Sequence, residues 1–234
     1  MVSMQYQHIK TGTFLRRPNR FIAQVEIEGI EETVHVKNTG RCKELLVPGC
    51  TVYLEESTNP KRKTRFDLVA VEKERDNRPS LLINMDAQAP NQAFGEFARS
   101  GKFLPELTLV TAEKTFGHSR FDFYLERSEE EIFVEVKGCT LEEGGICCFP
   151  DAPTERGTKH VHELISCLEQ GYGAYLCIVV QMEGMREFRP NDDTDPAFGQ
   201  ALRQAAQAGV IIKAYECHVE PDSLEIIGEI PVIL

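Results

Sequence analysis

The chain contains no tryptophan, and aromatic residues fill only 8% of its 234 positions. A binding surface made of broad stacked rings is therefore not expected. No run of about 18 apolar residues occurs, which argues against a membrane-spanning helix. The opening "MVSMQYQHIKTG" lacks the apolar core and small-residue cleavage site of an export signal, so a cytoplasmic protein is expected. The eight cysteines show no CxxC spacing, which gives no support to a thiolate-bound metal or a redox pair. They are expected to be reduced thiols, buried or half-buried. In "CCF" (147–149) the adjacent Cys147 and Cys148 would point to opposite faces of a strand. Internal repeats and low-complexity tracts are also absent.

Positive charge is scarce overall, with a net charge of −11, which at first argues against a polyanionic partner. Its distribution alters that view. Residues 1–80 carry 14 Lys and Arg against 11 Asp and Glu, whereas residues 81–234 carry 12 against 26. Two compact basic clusters, "RRPNR" (16–20) and "NPKRKTR" (59–65), lie in the first part. Local patches rather than the net value set the footprint for phosphate. Arg16, Arg17, Arg20, Lys61, Arg62 and Lys63 are the candidates to contact nucleic acid; the alternative is two solvated loops.

Residues 13–75 read as short strands, "FIAQVEIEG", "ETVHVKN", "TVYLEES" and "TRFDLVAVEKE", with turns at Gly29, 38–40, 47–49 and 59–61. That spacing predicts a small barrel. The polar stretch 76–80, "DNRPS", reads as a break and linker. A mixed pattern follows. It has a helix over 90–101, strands near 106–115, 119–126 and 131–137, and a hairpin near 139–149. An amphipathic helix over 153–171 turns Val161, Leu164, Ile165 and Leu168 inward. A buried strand at 173–181, a helix at 195–210 and a strand at 211–219 complete the reading.

The stretch "RFDFYLERSEEEIFVEVKG" (120–138) carries the chemistry. Side chains on a strand alternate between faces. Folding the hairpin about Ser128 and Glu129 pairs Phe121 with Val136, Phe123 with Val134 and Leu125 with Ile132, a wholly apolar face. The same register sets Asp122 across from Glu135, with Lys137 on their face. Opposed carboxylates repel by about 0.2–1 kcal/mol. Either this is an exposed sheet face with one Lys–Glu pair, or a cation sits between them. Mg²⁺ takes oxygen ligands from one or two carboxylates and keeps water in its other positions.

The spacing Asp122-x12-Glu135-Val136-Lys137, set among helix, meander, helix, strand, helix and strand, resembles the PD-(D/E)xK restriction-endonuclease-like fold. "FPDAPTERGTKH" (149–160), "RRPNRF", "KNTG", "NPKRKT", "SRFDF", "VEVKG" and "FRPNDDTDPAF" occur in the order found in the SfsA family, sugar fermentation stimulation protein A, which the chain resembles over nearly its whole length.

The resemblance implies two domains of α+β and α/β class. An OB-like, nucleic-acid-binding β-barrel would span 1–80, and a restriction-endonuclease-like α/β domain 81–234. It further implies DNA binding, with either a metal-dependent phosphodiesterase site or a non-catalytic regulatory role in sugar (maltose) metabolism. Asp122, Glu135 and the Val136 carbonyl would hold Mg²⁺ or Mn²⁺, and Lys137 would act beside them. Glu96 is an extra acid or a solvated helix position. Arg156, Lys159, His160 and Glu163 form a polar stripe that would flank the site or merely face solvent. Phe14, Phe21, Tyr53 and Phe66 are stacking candidates or core. Asn84, followed by Met85, receives no catalytic role. No oligomeric state follows.

Overall fold

In the computed structural model, which describes residues 4–38, 40–76 and 78–234, the first third of the chain curls into a barrel. A short β1 (Met4–Gln5) precedes it. The barrel strands are β2 (Ile9–Asn19), β3 (Ile22–Ile27), β4 (Ile30–Val36), β5 (Thr51–Glu56), β6 (Phe66–Arg75) and β7 (Arg78–Asn84). Their order is β4-β3-β2-β5-β6-β7, and a parallel pairing of β4 with β6 closes the first five. Alternation drives this: Ala23, Val25 and Ile27 face inward from β3 while the residues between them stay wetter. Strand β2 pairs with β3 and β5, and Gly12 leaves room for Val25 and Leu54 of those neighbours to pack close over it. A Cβ there would lie 2.6 Å from Val25 Cγ1 and 2.9 Å from the Glu26 carbonyl.

Of the stretch expected to be a linker, residues 78–80 are strand. They open β7, which pairs antiparallel with β6 and carries the barrel sheet on to Asn84. The first three residues of β7 are exposed on an edge strand, where Pro79 withholds no needed ladder donor. That polar, proline-containing edge has the composition of a break.

The remaining elements are α1 (Ala89–Arg99), β8 (Leu107–Phe116), β9 (Ser119–Arg127), β10 (Glu130–Cys139), β11 (Leu141–Glu143), β12 (Ile146–Phe149), α2 (Glu155–Glu169), β13 (Gly173–Val180), β14 (Glu187–Pro190), α3 (Pro196–Ala208), β15 (Ile211–Glu220) and β16 (Ser223–Ile230). A seven-stranded sheet runs β1-β16-β15-β13-β10-β9-β8. Its centre, β10, β13 and β15, is parallel. Buried on both faces, β13 is apolar from Ala174 to Val180, as central parallel strands are. The sheet separates α1, whose Phe94 packs 5.1 Å from Phe123, from α2 and α3. Strands β1, β2, β7, β14 and β16 lie beyond those expected from the sequence.

The two parts are joined by buried polar contacts as well as a shared apolar core. Lys73 on β6 meets Glu142 on β11 at 2.7 Å, and Lys37 meets Asp86 at 2.5 Å. Burial pushes the Glu142 carboxyl up, but Lys73 and the Gly145 N–H outweigh it and hold it below the usual range.

Candidate active site

The β9–β10 hairpin takes the expected register as far as Phe123↔Val134 and there the ladder stops. The Asp122 carboxylate takes over: its Oδ2 accepts from the Val136 N–H at 2.8 Å. On the other side, β8 pairs Ala112 with Phe123 and Lys114 with Phe121, skipping Asp122, and Glu113 opposite adopts φ +59°. This local break turns Phe121 over. It packs against Phe133 at 5.5 Å and His160 at 6.2 Å, not against Val136. The expected apolar face of the hairpin is therefore two pairs long, because a side chain has replaced a backbone partner. The Val136 carbonyl leaves β10 on the same edge as its N–H, beside Asp122.

Glu135 is 2% exposed and lies within a ring of partners. Its Oε1 accepts from Lys137 Nζ and is bonded to His160 Nδ1 at 2.5 Å. Its Oε2 is buried and has no partner among the described residues. Asp122 Oδ1 accepts from Asn91 Nδ2 on α1 at 2.8 Å. Burial, and then the charge of Glu135, push the Asp122 carboxyl above its usual range. Burial also acts to raise Glu135, but His160 and Lys137 prevail and hold it below the usual range.

A carboxyl whose pKa rises on folding is destabilising once ionised, since the unfolded chain accommodates its charge better. Asp122→Asn is therefore expected to raise the melting temperature of the protein in EDTA at neutral pH. Asn91 can rotate its amide to keep both hydrogen bonds. In a chain of this size each kcal/mol of relief raises the midpoint by about 2–4 °C, readable by calorimetry. A fall in the midpoint would show that Asp122 is a stabilising structural group.

His160 leaves the expected polar stripe and faces Glu135 from within. Arg156 and Lys159 stay exposed, and Lys159 pairs with Glu163 at 3.7 Å. Glu96 meets Gln92, one turn earlier, at 3.4 Å. Asn91 was not anticipated; a single Asn in the first turn of a helix carries no signal by itself. Asn84 lies in a buried network with Tyr6, Asp86 and Gln181.

The basic clusters divide. Arg16 pairs with Glu31 at 2.5 Å. Arg17 donates to the carbonyls of Arg20, Asn38, Gly40 and Arg41 and so shapes a loop. Arg62 forks onto Asp67 through two 2.5 Å bonds. Burial raises the Asp67 carboxyl, yet Arg62 and His35 hold it below the usual range. Arg20, Lys61 and Lys63 are exposed with no acidic partner among the described residues. Arg20 lies 4.7 Å above the ring of Phe21, which is 43% exposed. Phe14 and Phe66 are core, and Tyr53 donates to Glu72. Both clusters meet at one barrel end, since Ile22 pairs with His35, which shares Asp67 with Arg62.

Among the described residues no cluster of three or more His, Cys, Asp and Glu is built for a metal, and no helix is long and apolar enough to cross a membrane. All eight cysteines are free thiols.

Two family models cover these two parts. Residues 15–80 match the SfsA N-terminal OB domain, and residues 88–223 match the sugar fermentation stimulation protein RE domain. The chain belongs to the SfsA family. SfsA relatives include the sugar fermentation stimulation protein homolog of Ruminiclostridium cellulolyticum, 52% identical over 231 residues and covering 99% of this chain and 100% of that one. The homolog of Clostridium beijerinckii is 50% identical with the same coverage. The solved structure of Pyrococcus furiosus SfsA in complex with Ca²⁺ superposes with a TM-score of 0.88 at 29% identity, over 100% of both chains. The barrel followed by an α/β domain is thus the architecture of SfsA proteins.

Proposed function

We propose that the α/β domain is a divalent-cation-dependent phosphodiesterase acting on nucleic acid, DNA in the first place, which the barrel binds. The observation that carries this reading is the buried Glu135 Oε2, which lacks a partner among the described residues and lies beside a second carboxylate of raised pKa. A buried acceptor of this kind lacks a donor or a cation. The residues fit a hard ion: Asp122, Glu135 and the Val136 carbonyl offer oxygen atoms on one edge of β10. Mg²⁺ or Mn²⁺ held there would polarise the scissile phosphate and acidify the attacking water. The Ca²⁺ held by the Pyrococcus furiosus relative supports an oxygen-rich cation site in this fold.

The chain's own residues do the rest. His160 fixes the Glu135 carboxylate from below through Oε1, leaving Oε2 free. Asn91 and the Val136 N–H fix Asp122. Lys137 presents an ammonium at the mouth of the site, 18% exposed, where charge grows on the phosphoryl oxygens. The test is incubation with plasmid, single-stranded DNA and RNA in Mg²⁺, Mn²⁺ or EDTA. Cleavage with a metal and none in EDTA supports the reading. Binding without cleavage in either metal would leave a DNA-binding regulator of sugar metabolism, the second reading.

The barrel's share is separately measurable. Neutralising Lys61 and Lys63 together should reduce the slope of log K against log salt by about 1.8 units on duplex DNA, or about 1.4 on single strands. Neutralising Arg62 should add little, because Asp67 already engages it. An unchanged slope in the double variant would remove this loop from the interface.

A further inference from the structure

Two hollows meet at Gly40. One is a groove of about 340 Å³ on the barrel, lined by Arg17, Arg20, Arg41 and Lys43. The other is a cleft of about 310 Å³ between the barrel and the carboxyl ends of β10 and β13, bordered by Gly138, Leu141, Pro150, Asp151 and Gln181. Gly40 lines both. Their chemistry is opposite. The groove is cationic. The cleft mixes apolar walls (Leu141, Phe149, Pro150) with neutral polar groups (Thr140, Thr154, Gln181) and one carboxylate, and has no Lys or Arg among its described lining residues. Phosphate suits the first and not the second. The cleft is also where open α/β sheets take ligands, outside the carboxyl ends of the parallel strands, and it begins one residue beyond Lys137.

One wall is an amide whose orientation the fold dictates. Gln181 is 1% exposed. Its Nε2 donates to Asn84 Oδ1 at 2.8 Å and to the Asp86 carbonyl at 3.0 Å. A backbone carbonyl only accepts, so the nitrogen must face it. Asn84 is fixed in turn, because its Oδ1 accepts from the Asp86 N–H at 3.1 Å. That leaves Gln181 Oε1 on the cleft side with no partner among the described residues, above Gly138, where any Cβ would collide with it. The cleft thus holds a rigid, unfilled acceptor, small enough for one planar group.

We propose that the cleft is a nucleobase pocket: phosphates of a strand follow the cationic groove past Gly40, and one unpaired base turns into the cleft and donates to Gln181 Oε1. The inference rests on the nuclease reading above and extends it to a substrate class. A paired base has its Watson–Crick donors engaged, and the loops are close, with the Arg41 N–H donating to Asp151 Oδ2 at 3.1 Å. The substrate is therefore single-stranded or locally unpaired nucleic acid. Cytosine, adenine and guanine offer an exocyclic amine. Thymine flanks its single N–H with two carbonyls, which meet Oε1 and Asp151 unfavourably.

The test is equilibrium binding of labelled oligo-dC, oligo-dA, oligo-dT and a duplex of equal length, all in EDTA so that neither metal nor turnover enters. Oligo-dC and oligo-dA should bind about fivefold tighter than oligo-dT, the worth of about one net hydrogen bond, and the duplex more weakly than any of them. Ala152→Trp, from the half-buried wall, and Ala87→Trp, from the exposed rim, should each fill the cleft and remove the base preference while the salt dependence stays. Equal binding of all four nucleic acids, or a base preference that survives both tryptophans, would overturn the pocket. Cleavage assayed separately in Mg²⁺ keeps the two ideas apart. Base preference without cleavage removes only the nuclease, and cleavage without base preference removes only the pocket.

Discussion

Lys137→Ala is expected to lower DNA cleavage by two or more orders of magnitude while divalent-cation and DNA binding stay near those of the parent. Lys137 lies on β10 two residues from Glu135 and is 18% exposed, so its ammonium borders the site rather than filling it. In the resting protein it bonds Glu135 Oε1, and Oε2 remains the atom free for a cation. Its value rises when charge gathers on the phosphoryl oxygens, and an interaction made chiefly in the transition state lowers kcat more than KM. The variant also removes one partner of a buried carboxylate, so melting curves must accompany the kinetics. His160 still holds Glu135, and the fold should persist. If the purified parent cleaves and Lys137→Ala cleaves as fast, the activity belongs to another site.

Glu135→Gln should remove cation binding and reduce cleavage to background. The substitution keeps the shape of the side chain and a hydrogen-bonding amide toward His160, but it deletes the charge that pairs with a divalent ion. It also leaves the Lys137 ammonium without its carboxylate, so a moderate fall in melting temperature is expected, opposite in sign to Asp122→Asn. The contrast is diagnostic. Two neighbouring carboxylates on adjacent strands are held by different surroundings, Glu135 supported by His160 and Lys137 and Asp122 crowded by its neighbour. A Glu135→Gln variant that retains parental metal affinity would mean that Glu135 is only a structural anchor for His160.

Much of the geometry of this site is legible in the sequence, and what is not has physical causes. Strict alternation gave the hairpin register through Phe123↔Val134, because a one-residue slip would expose the whole apolar face. It failed at Phe121, where the Asp122 carboxylate captures the Val136 N–H and the strand rotates. Alternation carries no trace of a side chain replacing a backbone partner. Likewise, the 3.6-residue period placed His160 on a polar stripe, and only tertiary packing shows that it faces Glu135. Six basic residues looked alike in the barrel. Glu31, Asp67 and the carbonyls of Arg20, Asn38, Gly40 and Arg41 decide which stay free, leaving Arg20, Lys61 and Lys63. The strand at Ser223–Ile230 had a readable pattern, with Leu224 and Ile226 buried on alternate positions, although it was not expected. The barrel and the α/β order were legible because both depend on local periodicity and turns.

The central claim is that Asp122 and Glu135 hold one divalent ion, and calorimetric titration of Mg²⁺ and Mn²⁺ into the metal-free protein tests it most directly. The account predicts saturable binding near one ion per chain, lost in both Asp122→Ala and Glu135→Gln. A parent that shows no binding heat with either metal, or variants that bind as the parent does, would contradict it.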